Sequence, residues 1–145
     1  MHTTPWPTPA HLQELVSLLH TSPLSTLPTL QSYLTRGNTP FSILSTYTLL
    51  QTLQLDSKST LTTHHLRLLY TISLIRFLNG FVDPLQKSLF NRSVKSLAST
   101  IGLQEFVDLR HEGTHGDLPT LSECREKCKD GVQWLIENYW DSQKW

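Results

Sequence analysis

The sequence predicts an all-α protein. Three observations carry this: apolar residues recur every three or four positions through successive stretches, residues that start or stop helices bracket those stretches, and no run of alternating β-branched residues occurs. About six or seven helices are expected, in a single domain over residues 1–145, because a chain of 145 residues suits one compact core.

Thr8-Pro9 pairs an N-cap residue type with a first-turn proline, and Leu12, Leu15, Val16 and Leu19 come after it at helical spacing. A second helix to about Thr35 carries Leu27, Leu30 and Leu34, with Pro28 in its first turn and Gly37 as its stop. Thr39-Pro40 opens a third, near 40–54, which sets Phe41, Leu44 and Thr48 on one side and Ile43, Tyr47 and Leu50 on another, as in a helix covered on much of its circumference. The fourth and most apolar runs from about Thr63 to Asn79, stopped by Asn79-Gly80 and then Asp83-Pro84. Ser93 caps a short helix through Val94, Leu97, Ala98 and Ile101 that ends at Gly102. Phe106 and Leu109 lead a further helix into residues 110–115, closed by Gly116 and Pro119. Thr120 and Glu123 form a capping box ahead of a long helix whose Leu121, Cys124, Cys128, Val132, Leu135, Ile136 and Tyr139 make one apolar stripe.

Twelve Lys plus Arg balance twelve Asp plus Glu, so the total charge neither supports nor excludes a nucleic-acid partner; steering depends on where charges sit. Cys124 and Cys128 are spaced as neighbours on one helix face, not as a disulfide framework, which points to a reducing compartment. Pro5, Pro7 and Pro9 with no basic or apolar run argue against a secretory signal, and polar residues interrupt every Leu-rich stretch, so a soluble, intracellular protein with no membrane span is expected.

Chemistry concentrates in Arg110-His111-Glu112-Gly113-Thr114-His115. His111 and His115 are four apart and Arg110 and His115 five apart, so a helix gathers two imidazoles with a guanidinium nearby. RNA brings its own nucleophile, the 2′-hydroxyl. A metal-free nuclease therefore needs a base, an acid and a cation for the phosphorane charge, and these three side chains are of those types. The same residues spell His111-Glu112-x-x-His115, the zinc-protease pattern, with Glu123, Glu126 or Glu137 as conceivable third ligands. Against that reading, Gly116 and Pro119 end the helix at once and no strand is available to hold a peptide; no metal is expected. The blander reading is that the three side chains decorate a helix end, where cations favour the dipole.

The surrounding sequence adds to this. Arg110 to Leu121, RHEGTHGDLPTL, resembles the signature of the Las family of ribosome-biogenesis nucleases, part of the HEPN superfamily, whose motif is Arg, a polar residue, three variable residues and His. Leu74 to Gln86 (LIRFLNGFVDPLQ), Leu97 to Val107 and Gln133 to Trp140 resemble further family blocks, as do Pro5-Trp6, Thr39-Pro40 and Ser45-Thr46. The resemblance implies a HEPN-type helical bundle, with Arg110, His111 and His115 at the family's catalytic positions. It also implies cleavage of the second internal transcribed spacer of pre-rRNA without cofactor or metal, in the nucleus and nucleolus. By the same resemblance the partners are pre-rRNA, a second copy completing a composite active site, and a polynucleotide kinase engaged mainly through a C-terminal region of longer family members, beyond Trp145 here. Glu112 matches a variable position and receives no role.

Arg67, Lys87, Arg92 and Lys95 are candidate contacts for an RNA backbone, and Arg76, Asn79 and Asp83 candidate supports of the catalytic turn, with Arg76 and Asp83 as an ion pair. His64-His65 read as the start of a helix, not as ligands, and Trp134 and Trp140 as packing residues. The competing function is a catalytically silent helical dimerisation or scaffold module.

Overall fold

The computed structural model describes residues 4–88 and 92–143, and within them every side chain except those of Ser88, Thr114 and His115. Among the described residues there are seven α-helices and no strand: α1 (Pro9–Thr21), α2 (Leu27–Thr35), α3 (Phe41–Ser57), α4 (Thr63–Ser88), α5 (Val94–Thr100), α6 (Val107–His115) and α7 (Leu121–Leu135). Short 3-10 turns, Pro23–Thr26 and Gln104–Phe106, lead into α2 and α6, and Ile136–Trp140 prolong α7 as a π-helical turn. No helix among these residues is long and apolar enough to cross a membrane.

The chain divides into two compact units, residues 1–58 with 130–145, and residues 59–129. In the first unit, α1 starts where Thr8 Oγ1 accepts the His11 N–H, with Pro9 at the first helical position. Leu12, Leu15 and Leu19 of α1 are buried, as are Leu27, Leu30 and Tyr33 of α2, which packs on α3. Ile43, Leu49 and Leu50 of α3 are buried, and of its remaining residues only Phe41, Leu44 and Ser57 are exposed. The helix is thus covered on much of its circumference, as its apolar pattern indicates, and small polar residues fill part of the buried arc. The hydroxyls of Thr46 and Thr52 donate to the carbonyls of Ser42 and Thr48, which lets threonine pack as a small buried residue. Trp140, fully buried, donates its indole N–H to Thr46 Oγ1 at 3.0 Å, and its ring meets Trp6 at 6.1 Å and Tyr139 at 5.0 Å. Burial pushes the Tyr139 phenol up to about 12. His20 and Asp141, 2.7 Å apart, tie α1 to the chain after the π-helical turn.

In the second unit α4 is longer than expected, continuing through Asn79-Gly80 and Pro84 to Ser88. Pro84 costs one backbone hydrogen bond. The apolar face nevertheless continues across these residues: Leu74, Phe77, Leu78 and Val82 are buried and Phe81 meets Phe77 edge-on at 5.5 Å, so packing overrides the local stop signals. Ser93 and Thr120 cap α5 and α7 as their sequences indicate, each accepting the N–H three residues on. The Glu123 carboxylate returns no bond to Thr120 among the described residues, so only half of the capping box is made. Of the α7 stripe, Cys124 and Cys128 are buried in this unit, with both thiols free, and Val132 and Leu135 are buried in the first.

Trp140→Ala is expected to cost about 3–5 kcal/mol of stability and Thr46→Val about 1–3 kcal/mol, the latter by orphaning a buried indole N–H. Urea denaturation followed by circular dichroism checks both. Equal, negligible losses would show that neither the ring nor its hydrogen bond supports the first unit.

Candidate active site

The 110–115 motif occupies the last turn and a half of α6, and the second unit holds that helix at its entry, flank and exit. At the entry, Gly102 (φ +80°) ends α5 in a Schellman arrangement, with the Leu103 N–H on Ala98 O at 2.7 Å and the Gly102 N–H on Ser99 O at 3.2 Å. Phe106 then lies edge-on to Phe77 of α4 at 5.3 Å, and the Lys127 ammonium both pairs with Glu105 at 3.2 Å and sits 5.9 Å over the Phe106 ring.

Along the flank, buried Leu109 and Gly113 are one turn apart and define the face that meets α4. A Cβ on Gly113 would stand 2.5 Å from Thr71 Cγ2 and 3.0 Å from Ile75 Cδ1. Only glycine permits this approach. With that face turned to α4, Arg110 and His111 fall about 100° and 200° around the helix from Leu109. Arg110 is half-buried and His111 exposed. The backbone of His115 lies one turn beyond His111 and ends α6; its side chain is outside the described residues.

At the exit, Gly116 turns into extended backbone (φ −131°, ψ −155°) while its N–H still donates to Glu112 O at 2.9 Å. Arg67 of α4 secures the loop between α6 and α7: Nε donates to Pro119 O at 2.7 Å and Nη2 to Leu118 O at 2.5 Å. Such charge-assisted bonds satisfy carbonyls that no helix supplies with a donor. Burial pushes the Cys124 thiol up, and the neighbouring Thr71 hydroxyl and Arg67 charge oppose that shift. Both cysteines are fully buried, packing as small hydrophobes.

The other residues singled out from sequence are dispersed. Lys87 is exposed on the last turn of α4, twenty residues and so about 30 Å of helix from Arg67. Arg92 folds back on α5, donating to Ser96 Oγ at 2.7 and 3.0 Å and to Thr100 Oγ1 at 3.0 Å, and Lys95 is exposed on the same helix. Lys87 therefore forms no patch with Arg67. Arg76 and Asp83 are both exposed and make no ion pair with each other; seven residues apart, they stand two helical turns from one another. Asn79 is half-buried, its Oδ1 fully so and without a hydrogen-bond partner among the described residues. Sequence reasoning did not find the close approach at Gly113 or the carbonyl bonds of Arg67. A glycine inside a helical pattern one turn from a buried Leu was the available signal for the first. The second had none, since it joins residues about fifty apart.

Comparison with known proteins places this geometry in context. The profile of the Las1-like family matches residues 4–142, nearly the whole chain. The chain belongs to the Las1-like family. It is similar to Protein LAS1 of Saccharomyces cerevisiae, 39% identical over 79% of this chain and 24% of that protein. It is 34% identical to the Pre-rRNA-processing protein las1 of Schizosaccharomyces pombe, over 77% of this chain and 23% of the relative. With the Ribosomal biogenesis protein LAS1L of Mus musculus it shares 35% identity over 72% of this chain and 13% of the relative. The matched region therefore makes up a quarter or less of each of these relatives.

Gly113→Ala is expected to lift α6 off α4 and lower stability by about 1–3 kcal/mol, as overpacking does. Thr71→Ser, which deletes the methyl nearest the new Cβ, should restore a measurable part of that loss when combined with it. Strictly additive effects of the two substitutions in thermal denaturation would contradict the close approach.

Proposed function

We propose that this chain is a HEPN-type nuclease domain that cleaves pre-rRNA within its second internal transcribed spacer, without a metal, during assembly of the large ribosomal subunit. The observation that carries this reading is the arrangement of Arg110, His111 and His115 on the last turn and a half of one helix whose Leu109–Gly113 face is packed on α4. Two relatives are named for pre-rRNA processing and ribosome biogenesis, which supplies the substrate class.

In the reaction, one imidazole takes the 2′-hydroxyl proton as the 2′-oxygen bonds to the adjacent phosphorus. The bond from phosphorus to the 5′-oxygen breaks, and a second, protonated imidazole gives that oxygen its proton. The products are a 2′,3′-cyclic phosphate and a 5′-hydroxyl. His111 and His115 share the acid and base roles, and Arg110 stabilises the phosphorane charge with its guanidinium.

Two imidazoles on one side of one helix do not reach both the attacking and the leaving oxygen, which lie on opposite sides of the phosphorus. The working unit is therefore a homodimer whose composite site joins two motifs. Leu68 and Ile72 on α4 are 43% and 51% exposed, an apolar patch one turn long on the helix that carries α6, and they fit a face covered by a second copy. The domain acts in the nucleus and nucleolus beside a polynucleotide kinase that phosphorylates the new 5′-hydroxyl. That kinase is contacted mainly through parts of longer relatives outside the region matched here.

Spacer RNA incubated with the protein in EDTA should yield fragments with cyclic-phosphate and 5′-hydroxyl ends, and Arg110→Ala or His115→Ala should reduce cleavage by about 100-fold or more with helicity unchanged. Cleavage that persists undiminished in both variants overturns the assignment; no cleavage by the parent chain, alone or with the kinase, leaves a scaffold module. Ile72→Asp should convert a dimer to monomer in sedimentation velocity while preserving the circular dichroism spectrum. A dimer unaffected by Ile72→Asp and Leu68→Asp would place the interface elsewhere.

A further inference from the structure

Immediately after the motif, the second unit contains an open cleft of about 480 Å³ lined by His64, Arg67, Gly116, Asp117 and Leu118. None of these residues has a role in the proton transfers. Gly116 is the residue directly after His115, one Cα step of about 3.8 Å, so whatever occupies the cleft sits beside the end of the motif. The lining combines three recognition chemistries. Asp117 is an exposed carboxylate, a group that only accepts hydrogen bonds when ionised. Arg67 is a donor held rigidly by its bonds to Leu118 O and Pro119 O, neither of which uses Nη1. His64 is exposed in the first turn of α4 and offers an aromatic ring on which a base can stack.

We propose that this cleft is a base-recognition subsite selective for guanine in the nucleotide flanking the scissile phosphate. The selectivity arises from which base edges suit a carboxylate and a guanidinium together. Guanine presents two adjacent donors, N1–H and the N2 amino group, to Asp117, and the acceptors O6 and N7 on the side of the ring that Arg67 serves. Adenine places its acceptor N1 where the carboxylate needs a donor, and cytosine does the same with N3 beside its single amino group. Uracil has one donor, N3–H, flanked by carbonyl oxygens that the carboxylate repels. Single-stranded RNA is the form in which such edges are accessible to side chains, as a spacer cleavage site requires. Gly116 contributes by the absence of a side chain: a Cβ there would touch nothing nearer than Glu112 O at 3.6 Å, so that wall of the cleft is open for lack of atoms, not through backbone strain. As a subsite, the cleft rests on the nuclease reading above; as a guanine site, it has its own test.

The four nucleoside 3′-monophosphates are titrated into the protein and monitored by NMR. Guanosine 3′-monophosphate should shift the amide signals of Gly116, Asp117 and Leu118 and the ring signals of His64, binding about ten-fold more tightly than the other three. Asp117→Asn, at an exposed position where folding is not at stake, should bring that preference close to one. In parallel, single-stranded oligonucleotides carrying one guanosine in a uridine background should be cut next to the guanosine, with that positional preference lost in Asp117→Asn. Cleavage that ignores the guanosine overturns the subsite while leaving the nuclease. Guanine-selective binding that depends on Asp117, without any cleavage, supports recognition at the cleft and overturns the nuclease. Equal affinity for all four nucleotides, or shifts confined to other residues, overturns the cleft outright.

Discussion

The contact between Gly113 of α6 and Thr71 and Ile75 of α4 is the constraint on which the site depends. A nine-residue helix has little stability of its own in water, so its position is set by what it packs against. Leu109 and Gly113 choose the face, and the missing Cβ sets the depth. Once that face is committed, the helical period leaves Arg110 and His111 no freedom over which way their backbone presents them. Thr71 is β-branched and buried, so it yields little at χ1 and makes the approach rigid from the α4 side as well.

How much of this was legible in the sequence depends on the range of each interaction. The caps at Thr8, Ser93 and Thr120, the ends of α5 and α6, and the stripe on α7 depend on residues within a few positions of one another, and local patterns specify them. That residues 110–115 share one helix was legible for the same reason: four- and five-residue spacings need only local structure. Where tertiary packing overrides a local signal, reading fails. Asn79-Gly80 and Pro84 mark a stop, but burial of Val82 and the Phe77–Phe81 contact carry α4 through them. Thr46 and Thr52 are buried in α3 with their hydroxyls bonded back to the helix, which an apolar count does not anticipate. The turn at Ile136–Trp140 keeps an apolar pattern while changing its hydrogen-bonding period, which spacing alone does not reveal. Pairing Arg76 with Asp83 rested on proximity in sequence, and a separation of two turns does not bring their charges together.

Charge in this chain is balanced in total but unequal in use. Arg92 satisfies hydroxyls on its own helix, and Arg67 is anchored to two backbone carbonyls, so both have structural work independent of any ligand. Anchoring does not neutralise a guanidinium, because carbonyl oxygens carry only partial charge. Arg67 thus remains a fixed positive centre beside the exit of α6, held by the same bonds that shape the loop there. A cation positioned before any ligand arrives loses little entropy on binding, which is the condition under which a single arginine contributes to recognition.

The arrangement of the motif also bears on why one copy is insufficient for the proposed chemistry. In-line displacement puts the entering 2′-oxygen and the departing 5′-oxygen on opposite sides of phosphorus, so acid and base must approach from opposed directions. Backbone positions 111 and 115 differ by about 40° around α6 and one turn along it, and therefore lie on the same side of the helix. Lengthening a side chain does not solve this, since both imidazoles sit on equally short stems. A second α6 facing the first across the substrate does, by supplying from the partner what the geometry of one helix denies. The exposed Leu68 and Ile72 lie on the helix against which Gly113 packs, so covering them with a second copy would use α4 both to hold its own motif and to bring the other one near. On the nuclease reading we propose, a second copy would serve reaction stereochemistry as well as bury apolar surface.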